Sequence, residues 1–141
     1  MIREAINLVV EGKDLDSPMA MQVMREIMSG VATPAQMGSF ITAMRMKGET
    51  VAELIGFAKA MRESCVKIQS PPDAVDLCGT GGDGLNTFNI STVASFVVAA
   101  TGVPVAKHGN RSVSSRAGSA DLLSALGFPV DLDPKSVEKL L

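Results

Sequence analysis

Helix start and stop signals divide the first 70 residues of this chain into short segments. Thr33-Pro34-Ala35-Gln36 and Thr50-Val51-Ala52-Glu53 have the form of a capping box, in which the first and fourth residues satisfy each other's unpaired backbone donors. Ser17-Pro18 is typical of an N-cap followed by proline at the first helical position. The segments end at glycines, which are Gly12, Gly30 and Gly48. This punctuation predicts four short helices packed as a small bundle.

Apolar side chains recur at helical spacing within each segment and predict the faces that pack together. In chain order these are Ile2, Ala5, Ile6 and Val9, then Met21, Met24, Ile27 and Met28, then Met37, Phe40, Ile41 and Met44, and finally Leu54, Phe57, Ala58 and Met61. Because thioethers fill irregular gaps well, we expect the methionines to be core residues. A bundle this small has surplus apolar surface, which favours self-association through residues 1–70.

The pattern changes after Ser70-Pro71-Pro72, which marks a domain boundary. The following residues alternate between predicted strands and helices: strands at 74–78, 103–106 and 128–131, and helices at 90–101, 119–126 and from 133 onward. This order is typical of right-handed crossovers and a mostly parallel sheet. We therefore expect a helical domain at 1–70 and the beginning of an α/β domain at 71–141. Since parallel strands need both faces covered, the sheet is expected to be incomplete within this chain.

Composition excludes several classes of protein. Hydrophobic residues make up 46% of the 141 residues, so a packed core is expected, and a net charge of −2 argues against a nucleic-acid surface. The longest mostly apolar run, 93–106, is too short to cross a membrane. Cys65 and Cys78 lack metal-type spacing, and free thiols with nine methionines favour the cytoplasm.

The first segment suited to ligand binding is Asp76-Leu77-Cys78-Gly79-Thr80-Gly81-Gly82-Asp83-Gly84. Glycines let the backbone turn sharply and approach a ligand, and exposed N–H groups can hold phosphate oxygens. No Gly-Lys-Ser/Thr follows, so this is not a Walker A loop. Taken alone, the segment is equally well explained as a tight turn between a strand and a helix.

A second polar segment, 86–92, lies where the next helix is expected to begin. Unpaired N–H groups and the positive end of the helix dipole favour an anion at that point. Asn89, Ser91 and Thr92 add hydrogen-bond donors, although simple capping of the helix would also explain them. The Asp83 carboxylate and the Ser91 hydroxyl are hard oxygen ligands of the kind that magnesium shares with a pyrophosphate.

The third segment, 107–121, follows a predicted strand end, where open α/β sheets bind their ligands. Its lysine, arginines, serines and glycines suit a ligand rich in phosphate, although a solvated surface loop would have a similar composition. His108 alone is more often structural than catalytic. Asn110 offers both a donor and an acceptor, as an aromatic acid that carries an amine requires.

Together these segments resemble the anthranilate phosphoribosyltransferase family. The resemblance rests on Gly79-Thr80-Gly81-Gly82-Asp83, Asn89-Ile90-Ser91-Thr92 and 107–115, which begins Lys107-His108-Gly109-Asn110-Arg111, in this order and spacing. The helical first 70 residues resemble the small domain of the same family, so the likeness covers the whole chain. Members of the family tend to pair through this domain, so the resemblance implies a homodimer formed through residues 1–70. Pyrimidine nucleoside phosphorylases share the architecture and a related glycine loop, but their second loop differs.

The resemblance implies an enzyme that transfers the phosphoribosyl group of phosphoribosyl pyrophosphate to the amine of anthranilate, with Mg²⁺ as cofactor. Lys107 and Asp83 would be the catalytic residues, and Ser91 would be the magnesium ligand. Gly79, His108 and Asn110 would line the anthranilate side. Phosphoribosyl pyrophosphate would be bound by Gly79, Gly82, Asp83, Thr87, Asn89, Ile90, Ser91, Thr92, Lys107, His108, Gly109, Asn110, Arg111, Ser112, Val113, Ser114, Ser115 and Ser119.

Family members are considerably longer than this chain, and their later arginine and acidic pair have no counterpart before Leu141. We therefore expect the 141 residues to hold part of the site and to have negligible activity alone. Two other interpretations stay open at this point. One is a relative of the pyrimidine nucleoside phosphorylases, and the other is a non-catalytic dimerisation fragment.

Overall fold

The computed structural model describes residues 1–79, 88–111 and 118–141. The chain forms two compact units, Met1–Val66 and Lys67–Leu141. The first unit contains helices α1 (Ile2–Val10), α2 (Ser17–Met28), α3 (Pro34–Lys47) and α4 (Val51–Ser64). Helix α2 packs on α4, and α1 packs on α3. The predicted helical N-terminal domain is confirmed.

Local capping signals explain where these helices begin. Both predicted capping boxes are formed: Thr33 accepts from the Gln36 N–H, and Thr50 accepts from the Glu53 N–H. The prediction that Ser17 is an N-cap is wrong. Asp16 caps α2 instead, with its Oδ1 accepting from the Met19 N–H at 2.8 Å. Aspartate is as good a cap as serine, and the next proline then occupies the second helical position, where an N–H is also dispensable.

The core of the first unit departs in part from the predicted faces. Ile41, Leu54 and Met61 are at least half exposed, and Met28 is nearly so, which contradicts their assignment to the core. A Cβ built on Gly56 would lie 2.8 Å from the Ala20 Cβ, so α2 and α4 meet through small residues. On these two helices the small residues form the contact, and the large Met28, Leu54 and Met61 remain exposed. The buried apolar side chains are Ile2, Ala5, Val9, Leu15, Ala20, Val23, Ala32, Phe40, Ala43, Met44 and Ala60.

The second unit contains α5 (Ile90–Ala100), α6 (Ser119–Ala125) and α7 (Pro134–Leu140). The predicted strands at 74–78 and 103–106 meet in one parallel bridge, between Val75 and Val105. No longer strand is present in the described ranges, because a parallel ladder needs further strands and covering helices to extend. The predicted third strand at 128–131 is not formed. Phe128 instead packs its ring against Phe96, with centroids 5.9 Å apart.

No helix within the described ranges combines the length and the apolarity that crossing a membrane requires.

Candidate functional site

The parallel bridge brings the starts of two predicted ligand-binding segments to one edge. The Val75 N–H donates to the Pro104 carbonyl and the Ala106 N–H donates to the Val75 carbonyl, both at 3.0 Å. Because the paired segments run in the same direction, both leave the bridge at the same edge, which is the edge of their carboxyl ends. Gly79 lies four residues beyond one side of the bridge, and Lys107 lies two beyond the other. Such an edge is where ligands bind in open α/β sheets.

A side chain to which the sequence assigned no role joins these two segments. The Asp76 Oδ1 accepts hydrogen bonds from the Cys78 N–H at 2.9 Å and from the His108 N–H at 3.0 Å. The first contact is an Asx-type turn, which an aspartate directly before a glycine-rich run can signal. The second contact crosses 32 residues of sequence and has no local signal.

The start of α5 holds a buried hydroxyl without a partner. Thr92 is 1% exposed, and its Oγ1 accepts or donates no hydrogen bond among the described residues. The Asn89 side chain makes no cap hydrogen bond to this helix, so the interpretation of Asn89 as a simple cap is not supported. The Asn89 amide instead donates to the Gly118 carbonyl at 3.4 Å. Ser91 is half-buried one position before Thr92. A helix N-terminus with an unsatisfied buried hydroxyl is a suitable anion-binding site.

The segment that starts at Lys107 is attached to the beginning of α6. The Asn110 carbonyl accepts from the Ala120 N–H at 3.2 Å. A Cβ on Gly109 would lie 3.1 Å from the Ser119 Cβ, so the lack of a side chain at this position permits the close approach. The Asn110 Oδ1 accepts from the Arg111 N–H at 2.9 Å. Three backbone regions, at the starts of α5 and α6 and after the bridge, are thereby held together.

Lys107 and Arg111, the described lysine and arginine of this segment, differ in their surroundings. Lys107 is half-buried, and its ammonium donates to the His108 carbonyl at 3.1 Å. The Arg111 guanidinium lies 3.7 Å from an Asp121 oxygen and 3.4 Å from an Asp131 oxygen. Exposed ion pairs of this kind contribute little free energy, so the guanidinium can exchange its carboxylate partners for a phosphate.

The structure covers part of the predicted site. Gly79, the first residues of α5, the segment 107–111 and Ser119 are described, and they lie around the contacts given above. Their assignments to particular ligands stay predictions. The remaining predicted site residues lie outside the described ranges; they are Gly82, Asp83, Thr87, Ser112, Val113, Ser114 and Ser115.

Comparison with known families and proteins gives consistent matches along the chain. Residues 3–65 match the glycosyl transferase family, helical bundle domain, and residues 71–141 match the glycosyl transferase family, a/b domain. The anthranilate phosphoribosyltransferase of Pelotomaculum thermopropionicum is 60% identical over 142 residues, and that of Ruminiclostridium cellulolyticum is 58% identical over 141. In both alignments the whole of this chain is covered, together with 41% of the relative.

A solved structure gives the same result. The crystal structure of anthranilate phosphoribosyltransferase from Thermus thermophilus matches with a TM-score of 0.82 and 41% identity, over 96% of this chain and 43% of that one. The resemblance inferred from the sequence motifs is thus confirmed. The chain spans about two fifths of the length of the relatives it matches.

Proposed function

Since the chain belongs to the glycosyl transferase family, with its helical bundle and a/b domains, we propose that it forms the N-terminal part of an anthranilate phosphoribosyltransferase. The substrates of such an enzyme are phosphoribosyl pyrophosphate and anthranilate. The second unit is the beginning of a mostly parallel α/β domain, of which the Val75–Val105 bridge is the first pairing. A cytoplasmic location is part of the same proposal.

The buried Thr92 hydroxyl is the observation that best supports this function. An unsatisfied buried polar group costs about 1–3 kcal/mol, so its presence at a helix N-terminus calls for a ligand that accepts or donates there. Phosphate oxygens of phosphoribosyl pyrophosphate are suitable acceptors at the positive end of α5. Lys107 supplies a fixed positive charge, and Asn110 supplies neutral hydrogen-bonding groups for an amine or carboxylate.

The reaction needs positioning and charge stabilisation more than proton transfer. The anthranilate nitrogen forms a bond to the ribose C1 as the bond from C1 to the pyrophosphate oxygen breaks, and the nitrogen then loses a proton to solvent. Positive charge develops on the sugar and negative charge on the departing pyrophosphate. Lys107 stabilises the leaving group, while the edge formed after the bridge holds the two substrates at reacting distance. Asp83, the other residue proposed as catalytic, would help to hold magnesium.

The residues present fit a magnesium ion that is shared with the substrate. Ser91, the residue before Thr92 at the start of α5, supplies a hard oxygen. The described parts of the chain contain no group of three or more His, Cys, Asp or Glu side chains that would enclose a metal by themselves. Magnesium usually takes one or two protein ligands together with substrate phosphates and water, which suits Ser91 with Asp83. When bound, the ion neutralises charge on the pyrophosphate.

The first unit is proposed to form a homodimer. A groove between α1 and α3 is lined by Val9, Val10, Gly38, Thr42 and Met46, among others. Val10, Ile41 and Met46 are more than half exposed. Exposed apolar side chains at and beside a groove are typical of a surface that packs against another protein surface.

A fusion protein provides the direct test of function. Residues 1–141 would be joined to the remaining C-terminal part of the Pelotomaculum thermopropionicum relative. The loss of fluorescence as anthranilate is consumed would be followed after addition of phosphoribosyl pyrophosphate. We expect turnover by this fusion protein and negligible turnover by the 141-residue chain. Phosphorolysis of thymidine instead would favour the nucleoside phosphorylase interpretation. Self-association without turnover or ligand binding would favour the dimerisation fragment.

A further inference from the structure

The Asp76 carboxylate occupies the place of a backbone acceptor where the two ligand-binding segments diverge. In a parallel ladder the Val75–Val105 bridge would be followed by a hydrogen bond from the His108 N–H to the Leu77 carbonyl. The His108 N–H donates instead to Asp76 Oδ1. The same oxygen also accepts from the Cys78 N–H. One side-chain atom therefore ends the backbone pairing and joins the two segments that continue beyond it.

We propose that Asp76 is a positioning residue, which sets Lys107 and His108 relative to Gly79 by accepting the Cys78 and His108 N–H groups together. This inference rests on the proposed function, because it assigns the two segments to one substrate site. Asp76 itself touches no reacting atom in this proposal. It acts through the backbone. That backbone carries Lys107, which is proposed for the pyrophosphate, and His108 and Gly79, which are proposed for anthranilate.

Other contacts hold Gly109 and Asn110 but not the beginning of the segment that starts at Lys107. The Asn110 carbonyl is fixed by the Ala120 N–H, and Gly109 lies against Ser119. The Lys107 ammonium contacts only the carbonyl of its own neighbour, His108, among the described residues. Asp76 is thus the described side chain that connects the beginning of this segment to the glycine-rich one. Its loss leaves the backbone between Ala106 and Gly109 without that connection.

Three variants of Asp76 separate hydrogen bonding from charge and from folding. Asp76→Asn keeps an acceptor oxygen at the same distance from the backbone, Asp76→Ala removes it, and Asp76→Glu moves it by one methylene. Asp133→Ala is the matched control, since Asp133 is another exposed carboxylate of the same unit that accepts two backbone N–H groups, from Lys135 and Ser136. It lies outside the proposed site.

The kinetic measurement uses the fusion protein, with each substrate varied in turn. We expect Asp76→Ala to lower kcat/KM for both substrates by roughly tenfold or more, the scale of one charge-assisted hydrogen bond. Asp76→Asn should stay within about threefold of the parent, and Asp76→Glu should resemble Asp76→Ala. Asp133→Ala should leave the kinetic constants unchanged even where it lowers the melting temperature. A purely structural role of Asp76 would instead lower the melting temperature and leave both KM values intact.

Amide hydrogen exchange on the 141-residue chain tests the geometry without any substrate. Exchange at Cys78 and His108 should accelerate together, roughly tenfold, in Asp76→Ala and remain slow in Asp76→Asn. Unchanged exchange at both amides in Asp76→Ala overturns the inference. So do unchanged kinetic constants in an Asp76→Ala fusion protein whose parent uses phosphoribosyl pyrophosphate. If the parent fusion protein does not use phosphoribosyl pyrophosphate but both amides exchange as expected, the proposed function is wrong and the hydrogen-bonding role of Asp76 stands.

Discussion

The Lys47 ammonium lies 3.0 Å from the Glu53 carboxylate in the interior of the helical unit. Glu53 is fully buried, and the Lys47 side chain is 7% exposed. The Glu53 oxygens also accept from the Leu15 N–H at 2.9 Å and the Thr50 N–H at 2.7 Å. One carboxylate thus closes the capping box of α4, fixes the backbone before α2 and neutralises a lysine at the end of α3.

Glu53→Ala should strongly destabilise the helical unit. The change leaves the Leu15 N–H buried without its acceptor and removes one of the two carboxylates that contact Lys47, which keeps Asp14 and the Gly48 carbonyl. Breaking a buried ion pair typically costs about 3–5 kcal/mol, and the remaining partners of Lys47 put the expected loss near the lower end of that range. Glu53→Gln keeps the acceptor oxygen for one backbone N–H and should cost less. Glu49→Ala, at an exposed glutamate nearby, is the control and should change the free energy of unfolding by no more than about 0.5 kcal/mol. Urea denaturation measures the free energy of unfolding of the three variants. Equal losses of that free energy in Glu53→Ala and Glu49→Ala would contradict the prediction.

The Glu53 carboxylate makes the free energy of unfolding depend on pH. Burial opposes its charged form, but hydrogen bonds from Leu15, Thr50 and Lys47 outweigh that effect and hold the pKa of Glu53 below its ordinary value of 4.5. A depressed pKa contributes stability that is present above pH 4.5 and is lost as pH falls through the folded-state value. The free energy of unfolding should therefore fall below about pH 4.5, and fall less steeply in Glu53→Gln. Parallel curves for the two proteins would show that other carboxylates are responsible.

Thr92→Val tests the unsatisfied hydroxyl at the start of α5. Valine has nearly the same shape, so the variant should be as stable as the parent or more stable, because an unsatisfied buried group has been removed. The KM for phosphoribosyl pyrophosphate should rise roughly tenfold in the fusion protein, as expected for a lost hydrogen bond to a charged group. Ser95→Ala is the control, since its hydroxyl bonds to the Ser91 carbonyl within the helix. A rise in KM for Ser95→Ala but not for Thr92→Val would refute the assignment.

Lys107 and Asn110 should serve different substrates although they are three positions apart. Lys107→Met should lower kcat/KM for phosphoribosyl pyrophosphate by roughly tenfold to a hundredfold, the range for charge-assisted contacts. Asn110→Ala should raise the anthranilate KM and leave the other KM nearly unchanged. The Asn110 side chain also accepts from the Arg111 N–H, so a role in holding the loop is the alternative. In that case Asn110→Ala would raise both KM values equally when each substrate is varied.

Features with a local cause could be predicted from the sequence. The capping boxes at Thr33 and Thr50 and the helix ends at Gly30 and Gly48 depend on residues within one turn, and the structure confirms them. Ser17 was a wrong choice because Asp16, its neighbour, is an equally good cap. Both outcomes follow from short-range hydrogen bonding.

Features with a tertiary cause could not be predicted. Leu54 and Met61 are exposed although the pattern predicts core positions, because helical spacing alone does not reveal that α2 and α4 meet through small residues. Phe128 was placed in a strand, but it packs against Phe96. The role of Asp76 has no local signal, because its second partner lies 32 residues away in the sequence. The motif residues themselves could be named, since they follow one another in short runs.

The bridge between Val75 and Val105 has a thermodynamic consequence for the second unit. Two backbone hydrogen bonds and the Asp76 contact close a segment of about thirty residues, and the entropy lost on closing a loop of that length is substantial. A ligand that contacts both sides of the bridge favours the closed arrangement and is itself bound more tightly once the bridge has formed. Ligand affinity and the local order of this edge are therefore linked quantities, and a residue that strengthens one strengthens the other.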